Sequence, residues 1–258
     1  MTFDPTTARN YVKAVDLTGT PRGIAAMGPE EDTGPAFNAA KTQAQVVGSG
    51  VFAFERGVTA QVREAISNAA LLAQLVASRK VSVEKDPLTW FNAYEGVLQN
   101  IGWTLQEGSW VDYTTIGTSA QVHEKILEVA IAALAPTVAA LAIITASVNA
   151  LKGMDPKSQW LTIFDRESQK AKIARFQIGF VNVDAQGDIF VSLLLCLIEA
   201  QSNLTQVLFF KFKDARATFR ANSAKVSVNK ASITDLADAI RTKTSAYQHD
   251  YLSNILDF

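Results

Sequence analysis

Residues 129–151, VAIAALAPTVAALAIITASVNAL, carry no charge, and their apolar side chains occupy every side of a helical wheel. A helix that is apolar all round must be buried, inside a large domain or in a membrane. Its twenty-three residues reach roughly 35 Å at the helical rise, about the thickness of a bilayer core. Nine alanines, Pro136 in the middle, and the polar Thr137, Thr145, Ser147 and Asn149 argue against a permanent span. The expectation is a helix packed against a sheet in a water-soluble body.

Composition narrows the function classes. Of the 258 residues, 48% are hydrophobic and 19% charged, which describes a well-cored globule. A net charge of −1 offers no basic footprint for phosphate, so no nucleic-acid partner is expected. One cysteine and two histidines exclude a four-ligand Cys/His zinc site. The opening MTFDPTTARN lacks a basic stretch followed by an apolar core. The expected location is cytoplasmic, or outside the cell by release without a classical signal.

In chain order, residues 1–35 are rich in Thr, Pro and Gly and read as an irregular arm, with a short helix or edge strand open near Tyr11, Val12, Val15 and Leu17. Residues 36–258 read as a single domain. A helical pattern runs from Pro35 through Phe37, Ala40, Ala44 and Val47, is interrupted at Gly48-Ser49-Gly50, and resumes over residues 51–80. Asp86 and Pro87 look like the N-cap and first residue of a helix carrying Trp90, Phe91 and Tyr94. Trp103 and Trp110 follow in a turn-rich connection; an indole there suits either a core or a water–lipid interface.

After Ser168 the period changes to two. Residues 172–184 and 189–200 read as strands joined by the hairpin Asp184-Ala185-Gln186-Gly187-Asp188. The second strand is apolar on both faces from Leu193 to Ile198, which calls for layers above and below it. Residues 205–213 and 215–228 read as two more strands. A last helix is expected from near Ser232, with Ser232 and Asp235 as a capping box, to about Ile255. The predicted fold is α+β: an antiparallel sheet of about four or more long strands in the C-terminal third, covered on both faces by helices and closed by a C-terminal helix.

No catalytic constellation emerges, so the chain is not read as an enzyme, although an enzyme with an apolar substrate stays open. "HEKIL", starting at His123, lacks the second histidine of a zinc-protease helix, and His123 and His249 sit in charged surroundings. Cys196 stands out in the most apolar part of the predicted central strand. Its alternatives are a small buried hydrophobe or an attachment point for an acyl chain, stabilised by about 0.8 kcal/mol per buried methylene. The apolar-ligand contacts around it would be Leu194, Leu195, Phe210, Leu134 and Leu141. No cofactor is expected other than a bound or covalent fatty acid.

The order of elements, helical hairpins before a long strand pair and then LFFKFKDARATF at 208–219, resembles the Cyt-type cytolysins over roughly residues 86–230. Those are small pore-forming proteins in which helical layers flank a sheet of long strands. A second resemblance, resting on Cys196 and its strand, is to the Evf-type bacterial virulence factor, a helix-and-sheet protein with a buried acylated cysteine. The first resemblance implies a toxin that binds a lipid membrane, displaces residues 129–144 as a cover, inserts residues 189–198 and 207–212, and forms homo-oligomers on membranes. Lys211, Lys213, Arg216, Arg220 and Lys225 would then meet anionic headgroups, with Trp103 and Trp110 at the interface. The second implies a lipid-binding or internally acylated protein with a hydrophobic cavity at Cys196.

Overall fold

The computed structural model describes residues 3–20, 37–82, 85–106, 108–113, 122–134, 145, 159–204 and 217–254. Its centre is a hairpin of long strands, β6 (Ile173–Val183) and β7 (Ile189–Ala200), which pair antiparallel along their whole length. The expected turn closes it. Gly187 adopts φ +76°, and the Asp184 carboxylate accepts from the amides of Gln186 and Asp188 at 2.9 and 2.8 Å. A third long strand, β8 (Ala217–Val228), pairs antiparallel with the other side of β7 from Ile189↔Val228 to Ala200↔Ala217. Both ladders of β7 are therefore filled. The strand expected at 205–213 lies outside the described residues.

The N-terminal part departs from the helical reading. Residues 43–54 form a hairpin of β1 (Gln43–Val47) and β2 (Gly50–Phe54), and the helix expected over 51–80 begins only at α2 (Ala60–Lys80). In short apolar runs, three- and four-residue spacing cannot be told from two-residue alternation. Ala44, Val46, Val51 and Ala53 face one side of the sheet, while Val47, Phe52 and Phe54 face the other. Gly48, at φ +52°, starts the two-residue turn, where a side chain would run into Gln74. β2 joins β6 in parallel, so the sheet is mixed rather than antiparallel, and it is not confined to the C-terminal third.

Along the sheet the order is β3 (Trp103–Leu105), β8, β7, β6, β2, β1 and β9 (Leu252–Asn254), with β4 (Val111–Tyr113) also on β8 and β5 (Gln169–Lys170) also on β6. The remaining helices are α1 (Pro5–Ala14), α3 (Pro87–Asn100), α4 (Val122–Leu134), α5 (Gln159–Ser168), α6 (Lys230–Thr234) and α7 (Ala237–Tyr251). Asp86 caps α3 as expected, accepting from the Thr89 amide at 2.9 Å.

At the N-terminal end, of the short helix and edge strand left open near Tyr11 and Val12 the helix forms, over residues 5–14: Asp4 caps α1, and Ala8 and Val12 enter the main core. At the other end the reading needs correction. The last helix is broken in two, and Asn229, not Ser232, caps the first piece. Ser232 Oγ instead donates to the Ile101 carbonyl at 2.6 Å. Strand β9 follows the second piece and pairs antiparallel with β1.

Two apolar clusters lie on opposite faces of the sheet. The first joins α1, α2, α3, α6 and α7 to Phe52, Phe54, Leu193, Leu195, Leu197 and Val226. The second joins Ile126, Val129 and Ala130 of α4 and Leu161, Ile163 and Phe164 of α5 to Phe176, Leu194, Cys196, Ile198 and Phe219. The most enclosed of the described helices is α2, whose residues 65–77 are buried without a break although they include Ser67, Asn68 and Gln74. Alanines at 65, 69, 70, 73 and 77 allow that close approach on several sides.

Candidate functional site

Strand β7 places Cys196 at the middle of the sheet, level with Phe176 on one neighbour and Ala221 on the other. Successive side chains on a strand point to opposite faces, so Leu194, Cys196 and Ile198 share the α4/α5 side. Leu195 belongs to the other cluster, with Leu193 and Leu197. Of the expected contacts, Leu194 therefore shares the Cys196 face and Leu195 lies on the opposite one. Cys196 is fully buried, and burial pushes its thiol well above the ordinary range, so it is neutral and weakly nucleophilic.

Other expected contacts are only partly placed. Leu134 ends α4, but its side chain lies outside what is described, as do Leu141 and Phe210 altogether. Lys211, Lys213 and Arg216 also lie outside the described residues. Arg220 is half-buried on β8, between Asp112 at 2.9 Å and Glu199 at 3.5 Å, so two carboxylates already neutralise its charge. Lys225, on the same strand, is exposed.

The two indoles differ. Trp103 is 2% exposed and sits in the first core, so in this conformation it cannot lie at a lipid interface. Trp110 is half-buried, its ring 5.0 Å from that of Phe91. Core packing thus claims the aromatic cluster, with Trp90 stacked on Tyr94 at 5.6 Å. Among the described residues, the large apolar side chains that do reach solvent are Val111 (48%), Ile131 (42%) and Phe190 (39%). Phe190 precedes the buried stretch of β7 and lines an open cleft of about 370 Å³ with Asp188 and Lys230.

A second cleft, about 240 Å³, lies among α2, β1 and α7, and its floor includes Arg63, Ser67, Asn68 and Gln248. The Arg63 guanidinium stands 4.3 Å from the Phe37 ring centroid, and burial pushes its pKa down to about 10. Ser67 Oγ donates to Gln45 Oε1 at 2.6 Å, and Gln248 Nε2 to Asn68 Oδ1 at 2.8 Å. A third cleft, about 220 Å³, lies between α2 and α7. Cys196 lines none of the three.

His249 is exposed beside Asp250, at 3.2 Å, and the side chain of His123 lies outside the described residues. Among the described residues no group of three or more His, Cys, Asp or Glu could hold a metal ion, and no helix is long and apolar enough to cross a membrane.

Sequence reasoning passed over a buried polar group on β6. Arg175 and Gln177 share the α2-facing side of an apolar strand and are 6% and 0% exposed. The signal was available: an arginine two residues from a glutamine within IARFQIGFVNV puts both on one face.

No family model matches the sequence, and no curated protein matches it. Among solved structures, the chain is similar to a delta-endotoxin at 14% identity, over 71% of this chain and 84% of that one, with a TM-score of 0.40. It is similar to the activated Cyt2Ba monomer from Bacillus thuringiensis subsp. israelensis at 16% identity, over 70% and 96%, with a TM-score of 0.39. The Evf virulence factor matches at 11% identity over 95% and 90%, with a TM-score of 0.35. These are the Cyt-like and Evf-like structures that the residues led us to expect.

Proposed function

We propose that this protein is membrane-active and of toxin or virulence type, and that it meets lipid through apolar strands sheltered in the folded form. The observation that carries this reading is β7, enclosed on both faces from Leu193 to Ile198 beneath separate helical layers. Residues 189–198 are ten uncharged positions, roughly 33 Å of extended chain, and a tilted membrane strand needs about 9–11 residues. Residues 176–183 of its partner β6 are uncharged as well, so the hairpin bears its charges at Asp184 and Asp188 in the turn and at Arg175 and Glu199 near the far ends of the two strands.

The two covers differ in what holds them. On one face, α1, α2, α3 and α7 bury Trp90, Phe91 and Tyr94 among many aliphatic side chains. On the other, the described parts of α4 and α5 contribute Ile126, Val129 and Ala130, and Leu161, Ile163 and Phe164. At about 1.5–3 kcal/mol for each large aliphatic side chain, the described part of α4, with Ile126 and Val129, is the cheaper piece to lift. Lifting it uncovers part of the face that carries Leu194, Cys196 and Ile198. In hydrocarbon the strand edges must then be paired, which calls for several copies closing a barrel or for a position at the interface. This action is physical and needs no catalytic group.

The test is dye release from liposomes of anionic and of zwitterionic lipid. Leakage is expected in at least one composition, more at low salt if exposed cations such as Lys225 contribute. Intact vesicles in every composition would overturn the reading.

A further inference from the structure

The nine described strands fall into two groups. β9, β1 and β2 form one, and β6, β7, β8 and their short partners form the other. A single ladder connects them, β2 on β6 from Gly50↔Gln177 to Phe54↔Val181. It is the one parallel pairing among the described residues, and it is five residues long against eleven for β6–β7 and twelve for β7–β8. Parallel pairing is slightly weaker per residue than antiparallel. On sheet geometry alone, this is the weakest joint near the middle of the molecule.

Beneath that joint, on the α2 side, lies a set of enclosed polar side chains. Ser49 and Gln177 are 0% exposed, Gln74 5% and Arg175 6%. Arg175 Nη1 donates to Ser49 Oγ at 2.9 Å and Nη2 to Ser78 Oγ at 3.3 Å, while its guanidinium lies 3.6 Å from the Trp90 ring centroid. Its Nε and the Gln177 Nε2 have no hydrogen-bond partner among the described residues. No carboxylate among them is in salt-bridge contact with the guanidinium; Glu167 acts on it through space. Burial pushes the Arg175 pKa down to about 9, so it still carries its charge at neutral pH.

A buried cation without a contacting counter-ion is costly, and orphaned polar atoms add to that cost. Water would relieve both. The hydroxyls do not depend on Arg175: Ser49 Oγ also reaches Gln74 Oε1 at 3.2 Å and Gln177 Oε1 at 3.3 Å, and Ser78 Oγ accepts from Trp90 Nε1 at 3.0 Å. On the opposite face, Arg166 Nη2 donates to the Asp250 carbonyl at 2.6 Å and its guanidinium lies 5.4 Å from the Tyr251 ring centroid, which ties α5 to the end of α7 next to β9.

We propose that the sheet opens along the β2–β6 joint, with β9, β1 and β2 leaving β6 as a unit, and that the enclosed Arg175 favours this opening by gaining water. The proposal stands whether or not the protein acts on lipid. Hydrogen exchange read by mass spectrometry on the intact chain tests it. Amides of β1, β2 and β9 are expected to exchange together and faster than those of β7. Arg175→Met should slow the three strands by at least about tenfold, in line with replacing a buried ionic group by a hydrophobe.

A second variant guards against misfolding of the first. Val51→Cys with Ile178→Cys, made in a Cys196→Ala chain, puts two thiols on directly paired positions across the joint. Its oxidised form should show the same slowing relative to its own reduced form. Exchange of β1, β2 and β9 at the rate of β7 overturns the proposal. So does faster exchange in Arg175→Met, or identical exchange in the oxidised and reduced double-cysteine chains.

Discussion

Leu194 and Leu195 are adjacent on β7, both 0% exposed, and belong to different clusters. If both layers are truly packed, Leu194→Ala and Leu195→Ala must each leave a cavity, one under α4 and α5 and one under the other helices. Buried Leu→Ala changes cost about 2.7–5 kcal/mol, combining lost transfer energy with the void left behind. At about 2–4 °C per kcal/mol for a chain of this size, each variant should melt about 5–20 °C below the parent. Phe190→Ala, on the same strand but 39% exposed, is the internal control and should cost about 1 kcal/mol or less. Equilibrium urea unfolding followed by circular dichroism gives the numbers, with the midpoint falling and the slope unchanged. A loss under about 1 kcal/mol for either leucine would mean that its face is not covered, and the sheltered-strand account would fail.

Three further outcomes follow from single sites. Cys196, neutral and enclosed, should resist a thiol reagent in the native chain and react once on unfolding; rapid native labelling would contradict the burial, and no labelling after unfolding would reveal a group already attached there. Gly179→Ala would drive a side chain into the Phe52 ring, costing about 1–3 kcal/mol, and a variant as stable as the parent by urea unfolding would show that the contact is slack. The Tyr94 and Tyr251 phenols are held above their usual range by burial, helped by Glu95 and Glu167 respectively. Their stabilising contribution is full below the ordinary phenol value of 10.0 and is lost as the pH rises above it, because the unfolded chain ionises first. Tyr94→Phe should reduce that alkaline loss while leaving neutral stability intact, since the Tyr94 hydroxyl has no partner among the described residues; a curve matching the parent's above that pH would refute it.

The long hairpin was legible because its two signals agree: alternation on β6 and a turn with both acidic ends and a glycine. The double-sided burial of β7 was legible from its unbroken apolar run. β1 and β2 were not, because five-residue strands with both faces buried mimic a short helical stripe. Their parallel docking onto β6 joins residues far apart in sequence, and nothing local encodes it. Leu195 was grouped with Cys196 by composition, where period-two geometry separates them. For Trp103 the sequence leaves core and interface both open, because an indole suits both settings, and only packing decides between them. Arg175 is hidden in the opposite way: one charge inside an apolar strand leaves the strand signal intact, although its spacing from Gln177 marks a polar seam.

The claim on which the rest depends is that β7 leaves its enclosure to meet lipid. An environment-sensitive fluorophore on Ser192→Cys, in a Cys196→Ala chain, reports this directly when liposomes carry a quencher on their acyl chains. Ser192 is half-buried on the α4/α5 side of the same strand, two positions from Leu194. The account predicts a blue-shifted emission that the lipid-borne quencher suppresses. An unchanged spectrum and no quenching, with the protein bound to the vesicles, would contradict it.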